Sequence, residues 1–202
     1  MADGPALVLQ YPSNEHRGIK MEIRDIFHEL PELETERLIL RKVTENDVIS
    51  MYEYGNDPEV SKYVTWERHL TLSDTEDYLN FVLESYQEGR LAPWAIEYKA
   101  DGKMIGTIDF VQWKPSHQVA EIGYVLHREY WGKGIMTEAA NRVIQFGFEH
   151  MDLVRIQAVC LPENTGSFRV MEKAGLTYEG TLKKARKIKG KNQDIKMYAI
   201  VK

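Results

Sequence analysis

Apolar and polar positions change period several times along the chain, and each change marks an element. Arg37–Val43 alternates well enough for a strand. Thr44, with Asp47 three residues on, is a capping pattern for a helix carrying Val48, Met51 and Tyr52. Asn56-Asp57-Pro58 stops it, and a short helix follows through Val60 to Tyr63. A longer helix opens at Ser73 or Asp74, aligns Tyr78, Leu79, Val82, Leu83 and Tyr86 on one side, and ends at Gly89. From Trp94 the period becomes two. Trp94–Tyr98 and Met104–Phe110 flank Asp101-Gly102, a hairpin signal, and Val119–Leu126 supplies a third antiparallel strand.

Ile135, Ala139, Val143 and Phe146 then repeat at helical spacing, ending near His150. Val154–Val159 reads as a strand, Ser167–Lys173 as a short helix with Gly175 at its C′ position, and Leu176–Gly180 as the start of another strand. Lys189–Asn192 is a turn before a last strand over Ile195–Val201. This order predicts one mixed α/β sheet in a single domain. Residues 1–34 lack a clear period, apart from a short helix within Met21–Leu30.

Composition adds limits. A chain of 202 residues that is 43% hydrophobic can bury one sizeable core. Residues 1–100 carry 20 Asp/Glu against 10 Lys/Arg, and residues 101–202 carry 11 against 16. The acidic half suits a cationic partner and the basic half an anionic one, or both are simply solvated surface. One cysteine, Cys160, excludes an intrachain disulfide and a cysteine-only metal cage. His117 and His127 share no metal-ligand spacing, so no metal is expected. With no signal peptide and no long apolar run, a cytoplasmic protein with no membrane partner is expected.

Two stretches carry candidate chemistry. The strand ending at Leu126 runs through Gly132-Lys133-Gly134 into a helix, a strand–turn–helix that suits a phosphate cradle or is plain turn chemistry. It is neither a Rossmann fingerprint nor a P-loop. Pro162–Leu176 sets Asn164 and Ser167 at the head of a short helix, as caps or as ligand contacts.

Gly123–Ala139, followed by Asn164-Thr165-Gly166-Ser167-Phe168-Arg169-Val170-Met171-Glu172-Lys173-Ala174-Gly175-Leu176, resembles the GCN5-related N-acetyltransferase (GNAT) superfamily. It is most similar to the branch that acetylates N-termini of ribosomal proteins, and Leu33–Arg41 looks like that branch's opening. The resemblance covers residues 33–202 as an N-acetyltransferase domain and leaves residues 1–32 as an extension, partly ordered at best. It implies a mostly antiparallel mixed sheet with central splayed strands, helices on both faces, and acetyl-CoA in the splay. Backbone groups at Val125, Leu126 and His127 would bond pantetheine, and those of Tyr130, Trp131, Gly132, Lys133, Gly134 and Ile135 would hold pyrophosphate. Asn164, Ser167, Arg169 and Lys173 complete the implied cofactor contacts. The superfamily commonly has Gln or Arg where this chain has Glu129, beside Arg128, but the loop grips mainly through backbone.

The implied reaction is acetyl transfer to a primary amine. A protein α-amine titrates near about 7.7–8.0, so a base helps. The resemblance assigns that role to Glu121, whose other readings are a solvent-facing strand residue or the partner of a basic side chain. Ser167 and Tyr178 compete to protonate the thiolate. Asp109, Trp113, Trp66 and Trp94 line the acceptor cleft or pack in the core, and Cys160 is a poor candidate for an acyl carrier. The basic run Lys183–Lys191 is a solvated hairpin, or contacts an anionic partner, rather than an RNA site. The expected acceptor is a ribosomal protein's N-terminus, with a small amine as the alternative acceptor. A silent acyl-CoA or RNA module is the alternative of another class, and a homodimer fits the branch.

Overall fold

The computed structural model describes residues 22–202. The first element, α1 (Ile23–Phe27), lies where a short helix is expected and inserts Phe27 fully into the core. Trp94 Nε1 bonds the Pro31 carbonyl at 2.7 Å, which fastens the following turn. The rest of the expected extension, residues 1–21, lies outside the described residues.

Eight strands form one sheet: β1 (Leu33–Glu34), β2 (Leu38–Lys42), β3 (Trp94–Tyr98), β4 (Lys103–Lys114), β5 (Val119–Leu126), β6 (Arg155–Cys160), β7 (Thr177–Ile188) and β8 (Lys191–Val201). Their order is β1-β2-β3-β4-β5-β6-β8-β7. Every neighbouring pair is antiparallel except β5 and β6. The mixed, mostly antiparallel sheet expected from the sequence is therefore present. That parallel pair is also short. It joins Val119–Glu121 to Arg155–Gln157, after which β5 continues to Leu126 on β4 and β6 to Cys160 on β8 without pairing with each other.

Helices cover both faces. On one side are α2 (Val48–Gly55) and α4 (Leu72–Glu88), connected through α3 (Pro58–Ser61). The α4 helix starts slightly earlier than its apolar pattern suggests, because Thr71 caps it and Asp74 closes the box. On the other side lie α5 (Ile135–His150) and α6 (Thr165–Lys173). The period of two assigns the faces: Thr107 of β4 bonds the Tyr54 hydroxyl of α2, while Phe110 packs under Gly147 of α5. Trp94 is fully buried between Phe27, Phe110 and Phe146, and Trp113 lies 6.5 Å from Phe27. Both tryptophans belong to the core and not to an acceptor cleft.

The basic run lies on the β7–β8 hairpin. Lys183 pairs with Asp194, Arg186 with Glu121, and Lys189 bonds the Ser61 carbonyl at 2.6 Å, while Lys184, Lys187 and Lys191 are exposed on the hairpin. Among the described residues no helix is long and apolar enough to cross a membrane, and no cluster of His, Cys, Asp or Glu could hold a metal ion.

Candidate active site

The splay between β5 and β6 opens a wedge in the sheet, and the glycine turn sits at its wide end. Gly132 and Gly134 take φ of 73° and 74°, the left-handed region that a Cβ disfavours. Gly134 is the N-cap of the sixteen-residue α5 and supplies no side-chain cap. The first helical bond runs from Glu138 N–H to the Gly134 carbonyl at 3.1 Å. The N–H groups of Ile135, Met136 and Thr137 therefore have no helical acceptor and point out of the positive end of a long helix. A Cβ built on Gly132 meets nothing within 4 Å, so the turn is open at that position, and one on Gly134 would meet only Arg37 Nη2, at 3.7 Å. That arrangement fits a pyrophosphate.

The turn is held from the other side of the sheet. Glu138 accepts from Thr35 Oγ1 at 2.6 Å, from Arg37 N–H at 2.9 Å and from Arg37 Nε at 2.6 Å. Arg37 Nη1 also reaches the Lys133 carbonyl at 3.0 Å. Partial burial opposes the Glu138 charge, but these donors outweigh it and hold the carboxyl below its usual range. Tyr130 bonds Asp101 at 2.9 Å, its phenol pushed up to about 12 by burial and by that contact, and Lys133 Nζ lies 5.3 Å from the Tyr130 ring centre. Trp131 is 46% exposed and donates Nε1–H to the Leu126 carbonyl at 2.8 Å.

One expectation about the pantetheine track needs correction. His127 N–H bonds the Ile105 carbonyl at 2.7 Å, and the Val125 carbonyl points at Gly106. Both groups are turned toward β4. Antiparallel alternation leaves the backbone groups of Tyr124 and Leu126 facing the splay. A missing strand would therefore pair at 124 and 126, with the Leu126 carbonyl first shed by Trp131.

Asn164 Oδ1 accepts from Ser167 N–H at 3.1 Å, which is the capping role. Ser167 itself turns into the wedge. Its Oγ lies 3.0 Å from the Tyr124 hydroxyl, and the same hydroxyl donates to the Ser167 carbonyl at 3.0 Å. Cys160 at the end of β6 also bonds Ser167, and burial pushes its thiol up to about 11, far from a thiolate at neutral pH. Burial likewise pushes the Tyr124 phenol up. Tyr124 was not singled out from the sequence. The signal was its place on the inner period of β5, two residues before Leu126.

Tyr178 goes elsewhere: it is 52% exposed on β7 and shares a hydrogen bond with Thr181 Oγ1 at 2.7 Å. It is not among the partners of Ser167. Arg169 pairs with Glu172 at 3.5 Å, and Arg169 and Lys173 are both on the outer side of α6.

Glu121 is 3% exposed, at the last paired position before the splay. Its two oxygens accept from Arg186 Nη2 at 2.5 Å and Gln157 Nε2 at 3.0 Å. Of the roles weighed for it, partner of a basic side chain matches these contacts. Both of its oxygens are thus engaged by neighbours within the sheet.

The wedge, the edge groups of β5 and the open helix end together suit acetyl-CoA, held by the Tyr130–Ile135 turn and by strand-like bonds along the splay. Comparison with known proteins points the same way. Residues 37–177 match the family described as acetyltransferase (GNAT) domain. The uncharacterised N-acetyltransferase p20 of Bacillus licheniformis is 35% identical over 84% of this chain and 96% of its own. The ribosomal-protein-serine acetyltransferase of Escherichia coli is 29% identical over 82% of this chain and 93% of its own. A GNAT-family acetyltransferase structure from Bacillus anthracis superposes with a TM-score of 0.75 at 34% identity, covering 85% of this chain and 98% of the other. The chain thus belongs to the GNAT acetyltransferase family, whose members use acetyl-CoA to acetylate an amine.

Proposed function

We propose that this chain transfers the acetyl group of acetyl-CoA to the N-terminal α-amine of a protein, a ribosomal protein being the expected class. The observation that carries the transfer reading is the continuity of the open β5 edge with the uncapped N-terminus of α5. The acceptor class rests on the likeness to the E. coli ribosomal-protein-serine enzyme and on the acidic first half, which suits a basic partner.

The wedge has two sides. Tyr124 and Ser167 lie on the α5/α6 side, where the leaving sulfur needs a proton, so a Ser167–Tyr124 pair is the donor we favour over Tyr178. The acceptor enters from the α2/α4 side. Asn164 orients the Ser167 segment through its cap, and Arg169 and Lys173 remain available only to the outer parts of the cofactor.

The test compares kcat/KM for Ala- and Ser-starting peptides with that for small amines such as spermidine. A peptide preference of about tenfold or more, equivalent to ~1.4 kcal/mol, supports the N-terminal reading. The reverse order replaces it with small-amine acetylation.

A further inference from the structure

Asp109 lies on β4 opposite Gly123 of β5, on the same face as Thr107 and therefore on the side covered by α2 and α4. A Cβ at position 123 would sit 3.3 Å from Asp109 Oδ1 and 2.6 Å from Val111 Cγ1. Glycine there leaves the carboxyl beside bare β5 backbone, just past the point where β5 parts from β6. Among the described residues no donor or cation meets this carboxyl, which is half-buried, and its partial desolvation pushes it up to about 7. Tyr78 and Tyr86 of α4 lie near it, their phenols kept protonated chiefly by burial and further by its charge. Glu121, two residues back along β5 from Gly123, is already occupied by Arg186 of β7 and Gln157 of β6. Near the surface, Trp66 and Tyr78 stand 5.2 and 6.4 Å from the His69 ring, and burial lowers the His69 imidazole.

A half-buried carboxylate with no protein donor keeps its oxygens open to water and to a cation arriving from solvent. A carboxylate beside aromatic faces is also a matched set for an ammonium group. We propose that Asp109 receives the acceptor's ammonium group from the α2/α4 side and takes up its proton, the role that Glu121's contacts leave open. This rests on the acetyl-transfer reading above. One ammonium N–H bond breaks and its proton passes to the Asp109 carboxylate, freeing the nitrogen lone pair. The nitrogen then bonds the acetyl carbon as the C–S bond breaks. The second nitrogen proton passes to the sulfur, on the side of Ser167 and Tyr124, and Asp109 returns its proton to water. A carboxyl titrating near neutrality is better matched to an α-amine than an ordinary one.

Wild type and Asp109→Asn would be compared with Ala- and Ser-starting peptides and spermidine as acceptors, and by thermal melts of the ligand-free protein. Acceptor kcat/KM should fall about 10²–10⁴-fold with KM for acetyl-CoA kept, and the limb of the pH profile near neutrality should vanish. Asp109→Glu should recover part of the rate. The melts supply a readout independent of turnover. A carboxyl raised from 3.8 to about 7 stabilises the fold fully below its unfolded value and loses that contribution as pH rises through the folded one. The Asn variant should therefore gain Tm over wild type as pH rises from about 4 to about 7, with the difference level above that. An unchanged pH profile and rate in Asp109→Asn, or a Tm difference independent of pH, overturns the assignment. If wild type acetylates no probe, the transfer reading fails instead, and the melts still decide whether Asp109 titrates near neutrality.

Discussion

Arg186 of β7 places its Nη2 2.5 Å from Glu121 Oε1 of β5, spanning β6 and β8 in the sheet order. The two parts of the sheet that flank the splay are joined on one face by this ion pair. Replacing Arg186 by Leu leaves a buried carboxylate with Gln157 alone. We expect a loss of about 1–3 kcal/mol in chemical denaturation, less than for a fully enclosed pair because Arg186 keeps partial contact with water. Glu121→Gln, which removes the charge, should cost less, and the double variant should recover part of the loss. A Glu121→Gln protein of unchanged stability and abolished turnover would instead make Glu121 the base.

The glycine turn predicts a binding defect. Gly134→Ala forces a Cβ into φ of 74° at the helix N-cap, with ordinary contact to Arg37 Nη2 at 3.7 Å. Backbone strain of ~1–2 kcal/mol should disturb the anion seat. Calorimetry with acetyl-CoA should show affinity reduced about tenfold, while acceptor KM at saturating acetyl-CoA stays close to wild type.

Glu138 and Arg37 predict a dependence on acid. The Glu138 carboxyl is held below its ordinary value of 4.5, so its stabilising contribution is complete above that value. It is lost as pH falls through the lower, folded value. Melts of wild type and Glu138→Gln should differ most at neutral pH and converge in acid. Because the same carboxylate fixes Arg37 against the Lys133 carbonyl, Glu138→Gln should also weaken acetyl-CoA binding. Affinity equal to wild type would separate this clamp from the phosphate turn.

Tyr124 and Ser167 predict a rate defect at the leaving-group end. Tyr124→Phe keeps the ring and removes the hydroxyl that lies 3.0 Å from Ser167 Oγ. Stopped-flow detection of free thiol should show kcat lowered roughly 10–100-fold, with Ser167→Ala similar and the double variant little worse than either. Tyr178→Phe should leave kcat unchanged, since its hydroxyl is engaged with Thr181.

Local order in the sequence was readable wherever one segment determines its own structure. The Asp101-Gly102 hairpin, β5 at Val119–Leu126 and α5 from Ile135 all stand where alternation, turn residues and helical spacing put them. The pairing of β8 between β6 and β7 was not readable, because both terminal strands have the same apolar period and either could lie on β6. Asp109 and Glu121 interrupt apolar strands, and alternation alone leaves Asp109 open between cleft and core and Glu121 open between solvent and a basic partner. Only the tertiary structure shows that Arg186, sixty-five residues away, meets one of them and that no donor among the described residues meets the other. The cofactor turn was legible because it is local. The acid–base residues were less so, because their roles depend on neighbours from five different strands and helices.

Acetyl transfer by this fold would leave two products that can be counted, an acetylated amine and the free thiol of CoA. The direct measurement incubates the protein with acetyl-CoA and a panel of Ala- and Ser-starting peptides and small amines, following free thiol and product mass together. The account predicts one added acetyl group per acceptor amine, matched by one free thiol, and a rate that falls in Asp109→Asn. Tight binding of acetyl-CoA with no acetylated product from any amine would contradict it.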